Sequence, residues 1–240
     1  MGEVRDCLLR AGVPVEESRF ALLETYRDML LDWNTRMDLT SVPAPDVAAR
    51  HFLDSLLPLR DTAFFVPGAR VIDVGTGAGF PGLALAAARP DLRVTLLEAQ
   101  GKRCQFLNAV KEALKLDHVR VIQERAEVLG QHPEHREQYD LAVARAVAAL
   151  NVLGEYLLPF VGVGGYALCW KGPAAAEEMA DGRAAAEKLG GEMEKMIALS
   201  ADALEGKRYV VPIRKIEKTV PQYPRKNGTP AKRPLKADKK

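Results

Sequence analysis

Hydrophobic positions recur every three or four residues near the start of the chain. In the stretch EESRFALLETYRDMLLDWNTRMDL, residues 16–39, this spacing predicts a helix with one apolar face. The side chains that share the face are Phe20, Leu23, Tyr26, Leu30 and Trp33. The stretch VAARHFLDSLLPL, residues 47–59, predicts another helix. Residues 1–62 are therefore expected to form a helical N-terminal cap.

After residue 68 the pattern changes to short apolar runs that alternate with helical stretches. The predicted strands, in chain order, are RVIDVG, LRVTLLEA, HVRVIQE, YDLAVARA, GGYALCWKG, EMEKMIALS and KRYVVPIRKI. Strands that alternate with helices indicate an α/β fold, a mostly parallel, doubly wound sheet covered on both faces. This core is expected over residues 63–217 and in one structural unit with the cap. Residues 218–240 are rich in Pro and Lys, which predicts an extended basic tail of a composition that allows disorder.

Composition and charge add a compartment and a class of partner. The N-terminus is too charged for a secretory signal, and no apolar run approaches the ~20 residues of a membrane span, so a cytoplasmic protein without membrane contact is expected. The net charge is only +2, yet residues 206–240 carry 12 Lys and Arg against two acids, which leaves an acidic body. A basic end favours a polyanionic partner such as nucleic acid or an anionic membrane surface, although a solubilising tail has the same composition. No long exposed apolar stretch is evident, so a monomer is expected.

The stretch VIDVGTGAGFPGLAL, residues 71–85, is the strongest chemical signal in the chain. It places Asp73 and then Gly75, Gly77 and Gly79 at every second position between a strand and a helix. Glycine lets a backbone approach a nucleotide-like ligand closely. A dinucleotide fingerprint needs G-x-G-x-x-G, but Phe80 occupies the place of its third glycine. The variant favours S-adenosylmethionine, whose cationic groups suit Asp73, over NAD. A tight turn without a ligand is the simpler alternative for the glycines.

Two further positions suit the same ligand. Glu98 ends the second strand, where an acid can accept hydrogen bonds from two ribose hydroxyls. Ala126 and Glu127 follow the third strand, at a place that often borders an adenine.

The methyl acceptor is approached by elimination. No N/D-P-P-Y/F motif follows the fourth strand, so amine methylation is disfavoured. Methylation of a cytosine or uracil carbon needs a cysteine nucleophile, and Cys169 lies in an apolar run that favours a buried structural role instead. Neither the cysteines nor the histidines have metal-ligand spacing, so no metal is expected. Guanine N7 remains, because it carries a lone pair and needs no deprotonation. A small-molecule methyltransferase and a non-catalytic RNA- or nucleotide-binding protein stay open as alternatives.

Together the motifs resemble a known family. WNTRMDLTSV, RHFLDSLLPL, VIDVGTGAGFPGLALA, LLEAQGKRCQFL, AVARAVAAL, CWKG and VPIRKIEKTVPQYPRKNGTPAKRPL occur in the order found in the bacterial ribosomal small-subunit RNA methyltransferase G family, also called glucose-inhibited division protein B. The resemblance covers about residues 26–236. It implies a class I, Rossmann-like methyltransferase with a helical cap. It also implies methyl transfer from S-adenosylmethionine to N7 of one guanosine in 16S ribosomal RNA, with S-adenosylhomocysteine as product and the small ribosomal subunit as partner.

The resemblance also implies site residues. The family's cofactor contacts fall on Gly75, Phe80, the pair Ala126 and Glu127, and Arg145. The family motif SRA reads ARA here, because Ala144 replaces the serine, and CWKG departs from LKG. Arg145 is expected to orient the cofactor or the guanosine, since a guanidinium cannot act as a base.

Basic residues on several elements are candidates for contact with RNA phosphate. They are Arg50, His51, Lys102, Arg103, Lys171, Arg214, Lys215, Lys218, Arg225 and Lys226. Arg50 could instead pair with Asp54 across one helical turn, and Lys102 and Arg103 could simply be a solvated start of a helix.

Overall fold

The computed structural model describes residues 2–60 and 63–237. The helices of this part of the chain are α1 (Glu3–Arg10), α2 (Glu17–Asn34), α3 (Asp54–Leu56), α4 (Gly82–Ala88), α5 (Gly101–Ala113), α6 (Ala126–Leu129), α7 (Leu150–Leu157), α8 (Ala175–Lys188) and α9 (Thr229–Lys232). The strands are β1 (Arg70–Val74), β2 (Arg93–Glu98), β3 (Val119–Gln123), β4 (Tyr139–Arg145), β5 (Val161–Lys171), β6 (Gly191–Met193), β7 (Ile197–Leu199) and β8 (Arg208–Lys215). Helical turns of 3-10 and π type at Ala44–Asp46, Ala48–Leu53 and Leu57–Arg60 flank α3.

The strands of the described residues form one sheet in the order β3-β2-β1-β4-β5-β8-β6, and β7 also pairs with β8. Strands β1 to β5 run parallel to their neighbours, whereas β8 is antiparallel to β5. The chain moves from β1 to β2 on one side and later returns to β4 on the other. Loops after such neighbouring strands diverge and leave a crevice at the carboxyl ends of the strands. The predicted doubly wound, mostly parallel sheet is confirmed.

One predicted strand, EMEKMIALS, is divided in two. Strand β6 pairs with the carboxyl end of β8, and β7 pairs with its amino end. Residues 194–196 between them have no strand assignment, so the two short strands lie end to end along β8.

The cap and the sheet share a hydrophobic core. The predicted face of α2 is buried, with Phe20, Leu23, Tyr26 and Leu30 at most 3% exposed. These side chains belong to the same cluster of buried residues as Val71 of β1 and residues of α4 and β2. Tyr26 also donates a hydrogen bond of 2.5 Å from its hydroxyl to the carbonyl oxygen of Ala78, in the loop after β1. The cap is therefore fixed against the loop that the glycine motif predicts. The predicted boundary after residue 62 lies outside the described residues.

Residues 219–237 pack against the body, which differs from the extended tail expected from composition. We call this segment the C-terminal strap. It crosses the face of the sheet that carries α7, and its main-chain carbonyls at Thr219 and Tyr223 accept hydrogen bonds of 2.7 Å from Arg136. Near its end, the Asn151 side chain donates to the carbonyl of Leu235 at 2.7 Å. Backbone carbonyls without a helix or sheet partner need such donors when they are packed. Residues 238–240 lie outside the described part.

No helix in the described ranges has both the length and the apolar character needed to cross a lipid bilayer.

We expect Tyr26→Phe to lower the free energy of unfolding by about 1–2 kcal/mol, because the buried carbonyl of Ala78 loses its donor while the ring stays packed. The measurement is urea unfolding of both proteins, with Tyr209→Phe as the control, since no hydrogen bond joins the Tyr209 hydroxyl to the described residues. Equal stability of Tyr26→Phe and the parent would show that this hydrogen bond does not hold the cap to the loop.

Candidate functional site

Two adjoining cavities lie at the carboxyl ends of β1, β2 and β4. The first has a volume of about 430 Å³ and the second about 370 Å³, and both are lined by Gly75, Arg103 and Ala146. Because they share these three residues, they are two compartments of one crevice. We call the first the basic compartment and the second the acidic compartment, from the side chains that line them.

The basic compartment is lined by five cationic side chains and one acid, Asp54. The cations are Arg50, Arg103, Arg145, Lys171 and Arg208. His51, Phe80 and Trp170 add aromatic surface to its wall. A compartment of this charge suits an anionic ligand with a planar group, such as a nucleotide.

The acidic compartment is lined by three carboxylates, those of Glu98, Glu124 and Glu127, and by two arginines, Arg103 and Arg125, together with Ala126 and Tyr156. The structure thus brings together the three residues that the sequence assigns to adenosine, Glu98, Ala126 and Glu127.

The glycine loop takes the shape that its sequence predicts. Gly75, Gly77 and Gly79 have φ angles of 71°, 60° and 98°, in the left-handed region that side chains disfavour. Gly79 also lies against the Tyr26 hydroxyl, so a side chain there would strike the cap. Gly75 and Gly77 line the crevice directly, whereas Gly79 serves the shape of the loop.

Asp73 holds the glycine loop from below and does not face the crevice. Its Oδ2 accepts hydrogen bonds from Thr76 Oγ1 at 2.5 Å and from the backbone N–H of Gly82 at 2.7 Å. The residue is fully buried, and burial raises the pKa of its carboxyl from the usual 3.8 to about 6. The sequence suggested that Asp73 contacts a cationic group of the ligand. In the structure its carboxylate instead binds Thr76 and Gly82.

Glu98 reaches across the loop. Its Oε2 accepts a hydrogen bond of 3.0 Å from the N–H of Gly77, and its Oε1 accepts one of 2.9 Å from the N–H of Gln100. A carboxylate has further lone pairs, so Glu98 can still accept from hydroxyl groups in the acidic compartment.

The C-terminal strap closes the outer side of the acidic compartment. Ala231 of the strap lines this cavity, and the N–H of Gly228 donates to Glu127 Oε1 at 2.8 Å. The Glu127 carboxylate therefore binds the backbone of the strap, and Ala126 lines the cavity beside it.

An ion pair with a fully buried carboxylate, Glu155, anchors the strap. Arg225 donates from Nε and Nη2 to the carboxylate of Glu155 on α7, with the shortest contact at 2.6 Å, and Glu155 has no exposed surface. A bidentate pair of this kind fixes both orientation and position. The guanidinium of Arg225 is held by Glu155, so the structure gives it a role in anchoring the strap, and its contact with RNA phosphate stays a prediction.

Arg145 joins β4 to the cap. Its Nη1 donates to the carbonyl of Arg50 at 2.9 Å and to Asp54 Oδ2 at 2.8 Å, and its Nη2 lies 2.9 Å from His51 Nδ1. Its guanidinium carbon is also 5.2 Å from the centre of the Phe80 ring. The structure therefore brings Arg145, Phe80 and the neighbouring pair Arg50 and His51 together from three segments that are distant in sequence.

The tautomer of His51 follows from its two neighbours. A guanidinium only donates, so Nδ1 accepts from Arg145 and the proton resides on Nε2, which donates to Thr40 Oγ1 at 2.6 Å. Burial, with Arg145 and Arg50 nearby, lowers the pKa of His51 to about 3. His51 is thus a neutral ring with both nitrogens engaged, stacked on Phe80 at 4.7 Å between centroids.

The other predicted RNA contacts fall into separate places. Arg103 lines both compartments, and Lys171 lines the basic one, although its ammonium is held by Glu178 at 2.7 Å. Lys102 and Lys226 are exposed. Arg214 and Lys218 are exposed too. Arg214 lies opposite Tyr166 in the register of β8 with β5, five residues before the carboxyl end of β5 and therefore far from the crevice.

Lys215 is a correction to the sequence-based list. It is fully buried, and its ammonium donates to the carbonyl of Leu158 at 2.7 Å and to Thr219 Oγ1. Burial lowers its pKa from 10.5 to about 8, although Glu137 opposes that shift. Lys215 cannot reach an RNA phosphate from this position, and it instead fixes the start of the C-terminal strap.

Three residues of the site were missed from the sequence. Asp54 accepts from Arg145, and its Oδ1 lies 3.8 Å from Arg208 Nε. Trp170 donates from Nε1 to the carbonyl of Asp54 at 2.9 Å. Asp54 belongs to the motif RHFLDSLLPL and Trp170 to the motif CWKG, but only the packing of the cap against β4, β5 and β8 shows that they meet. No group of metal-ligating side chains occurs in the ranges that the structure describes.

Comparisons with known proteins identify the family of the chain. Residues 19–208 match the family described as rRNA small subunit methyltransferase G. The ribosomal RNA small subunit methyltransferase G of Alkaliphilus metalliredigens is 44% identical over 234 residues, 97% of this chain and 98% of that protein. Its counterpart in Alkaliphilus oremlandii is 44% identical over 239 residues, 98% and 100% of the two chains.

The solved structures add the fold. A protein of Galdieria sulphuraria assigned as a sarcosine dimethylglycine methyltransferase has a TM-score of 0.53 at 10% identity, and the match covers 81% of this chain and 99% of that one. At such identity the likeness concerns the fold alone.

Asp73→Asn should remove a pH-dependent component of stability. The amide oxygen can take the place of Oδ2 and keep both hydrogen bonds, since Oδ1 has no hydrogen-bond partner. Because folding raises the pKa of Asp73, its stabilising contribution is full below about pH 4 and is lost as the pH rises through about 6. The measurement is the difference in unfolding free energy between the two proteins from pH 4 to pH 8. A difference that does not change over this range would contradict the buried, protonatable carboxyl.

Proposed function

The chain belongs to the rRNA small subunit methyltransferase G family, and from this premise we propose that it transfers a methyl group from S-adenosylmethionine to N7 of one guanosine in 16S ribosomal RNA. The acidic compartment would hold the adenosine of the cofactor, and the basic compartment would hold the guanosine with its phosphates. The products are S-adenosylhomocysteine and 7-methylguanosine.

One observation supports N7 in particular: in the described lining of the basic compartment, the two side chains that could take a proton, His51 and Asp54, are both paired with Arg145, and the one Asp54 oxygen without a hydrogen bond, Oδ1, is buried 3.8 Å from Arg208 Nε. Both nitrogens of His51 are engaged, and Asp54 is held by Arg145 and Arg208. Arginine stays charged, and Lys171 is paired with Glu178. A hydroxyl or amine acceptor would need a group to take its proton, whereas guanine N7 presents a lone pair.

The residues present fit the cofactor. Glu98 is placed to accept from ribose hydroxyls, and the bare backbone at Gly75 and Gly77 leaves room where the two compartments meet. Ala126 and Ala231 give the acidic compartment small apolar walls for a flat ring. When bound, S-adenosylmethionine supplies an electrophilic methyl group on its sulfonium.

Arg145 orients the reacting groups in this proposal. Its three contacts with the cap fix the guanidinium at the junction of the compartments. Because the side chain is already held in one conformation, it can orient a guanosine without losing further conformational freedom. Trp170 and Phe80 present aromatic surface for a base, and Arg50, Arg103 and Arg208 lie where phosphates would enter. Asp54 places a negative charge near a ring that becomes cationic on methylation.

The proposal places the protein in the cytoplasm, where its RNA substrate is made, and it needs only one copy of the chain. All the side chains assigned here to the cofactor and to the guanosine come from the same chain.

Glu98→Gln tests the cofactor site. The amide has one acceptor oxygen instead of two, so we expect the dissociation constant of S-adenosylhomocysteine to rise about 10- to 100-fold, as for the loss of hydrogen bonds to a charged group. Titration calorimetry with the parent, Glu98→Gln and the exposed control Glu192→Gln measures this. An unchanged dissociation constant in Glu98→Gln would remove Glu98 from the site.

Arg145→Ala tests the reaction. Small ribosomal subunits that lack the modification are incubated with labelled S-adenosylmethionine, and the RNA is digested and its methylated nucleoside identified by mass spectrometry. We expect a single 7-methylguanosine from the parent and at least about a 100-fold slower transfer by Arg145→Ala, because the substrate is no longer aligned. Arg145→Lys, which keeps the charge but not the fork, should also be slow, and Arg183→Ala on α8 should match the parent. A different methylated nucleoside, or transfer only to small molecules, would contradict the proposal.

A further inference from the structure

A second basic cavity lies at the opposite edge of the sheet, where the parallel strands begin. It has a volume of about 190 Å³ and is lined by three arginines from neighbouring strands, Arg70, Arg93 and Arg120. Strand β1 spans five residues, so this edge lies about 15 Å or more from the crevice. None of these arginines belongs to the site described above.

The strand register places the three side chains on one face of the sheet. Arg70 is paired with Arg93, and Arg120 is paired with Thr95. Paired residues of neighbouring strands project to the same side, and so do residues two apart on one strand. Arg93 and Thr95 are two apart, so all three guanidinium groups project from one face and converge there.

The floor of this cavity is polar and buried. His135, Tyr139 and Thr95 are at most 9% exposed. His135 Nδ1 lies 2.7 Å from the Tyr139 hydroxyl, which in turn donates to Thr95 Oγ1 at 3.5 Å. These groups are fixed in place and carry no negative charge, so they can support an anion that the arginines attract.

The positive charge of the cavity is not balanced within the described chain. No carboxylate of the described residues lies within ion-pair distance of the three guanidinium groups. Other arginines do form such pairs, for example Arg89 with Asp91. Glu134 is the one acid in the lining. Asp140, on the adjacent strand, accepts from the backbone N–H of Arg70 at 2.7 Å. Arg70 and Arg120 lower the pKa of His135, after its burial, which reflects the same positive field.

We propose that this cavity, which we call the rear anion site, binds one phosphate group of the ribosomal RNA backbone. Three guanidinium groups on one face of the sheet, above a floor of neutral polar side chains, match the oxygens of a phosphate, and a cavity of this size admits a single such group. That the phosphate belongs to RNA rests on the proposed function. The site would hold a segment of the substrate distant from the guanosine and so set the orientation of the enzyme on the ribosomal subunit.

The test replaces Arg70, Arg93 and Arg120 together by Gln. We expect the dissociation constant for small ribosomal subunits to rise about 10-fold or more, and the slope of its logarithm against the logarithm of salt concentration to fall by about one, as for one phosphate contact. The dissociation constant of S-adenosylhomocysteine should stay unchanged, because the crevice is at the other edge. A matched control removes three exposed charges elsewhere, with Arg10, Arg183 and Lys195 replaced by Gln.

Titration with inorganic phosphate, followed by NMR of the arginine side chains, separates two sources of the phosphate. Weaker subunit binding by the Arg70, Arg93 and Arg120 variant, but not by the control, together with phosphate-dependent shifts at these arginines, supports the rear anion site as an RNA contact. Phosphate shifts with unchanged subunit binding would overturn the RNA contact and leave a site for a free phosphate compound. Equal losses in both variants would show a general effect of charge and overturn the site. If the parent binds subunits but produces no 7-methylguanosine, the proposed function fails while this binding comparison still stands.

Discussion

Two buried sets of hydrogen bonds fix the loop after β1, and the crevice depends on them. Asp73 holds the loop from the sheet through Thr76 and Gly82, and Tyr26 holds it from the cap through the carbonyl of Ala78. Between these points the chain takes left-handed conformations at Gly75, Gly77 and Gly79. Such a backbone is costly for any other residue, and it leaves bare backbone where the two compartments meet.

The same loop places Phe80 beneath the cap, and Arg145 completes the connection from β4. Phe80 stacks on Tyr26 and on His51, and Arg145 binds the helix that carries His51 and Asp54. The cap is therefore part of the site, and its helix supplies the wall of the basic compartment. His51 and Asp54 of that wall are both bound by the Arg145 guanidinium, so the chemistry we assign to the wall is one of positioning and charge. This is why we assign it an acceptor that loses no proton.

The sequence predicted the features that depend on local spacing. The fold, the family, the methyltransferase activity and the positions of most strands are confirmed, because hydrophobic period and the glycine motif act over a few residues. Charge was harder to interpret, since a count of basic residues in the tail says nothing of their partners. Glu155 stands alone in the apolar stretch ALNVLGEYLLPFV, and that isolated acid was the available signal for a buried partner such as Arg225. Lys215 and the ion pair of Asp54 with Arg145 come from tertiary packing, which no local pattern encodes.

The central claim is that methyl transfer here requires no proton acceptor from the protein. The most direct test is the rate of a single turnover on ribosomal subunits, with the cofactor prebound, measured in H₂O and in D₂O between pH 7 and pH 8.5, above the pKa of about 6 of the Asp73 carboxyl. We predict equal rates in the two solvents and no dependence on pH, because N7 has no proton to lose and His51 stays neutral throughout. A rate that falls in D₂O, or that rises with pH through the titration of a single group, would show a general base at work and contradict the account.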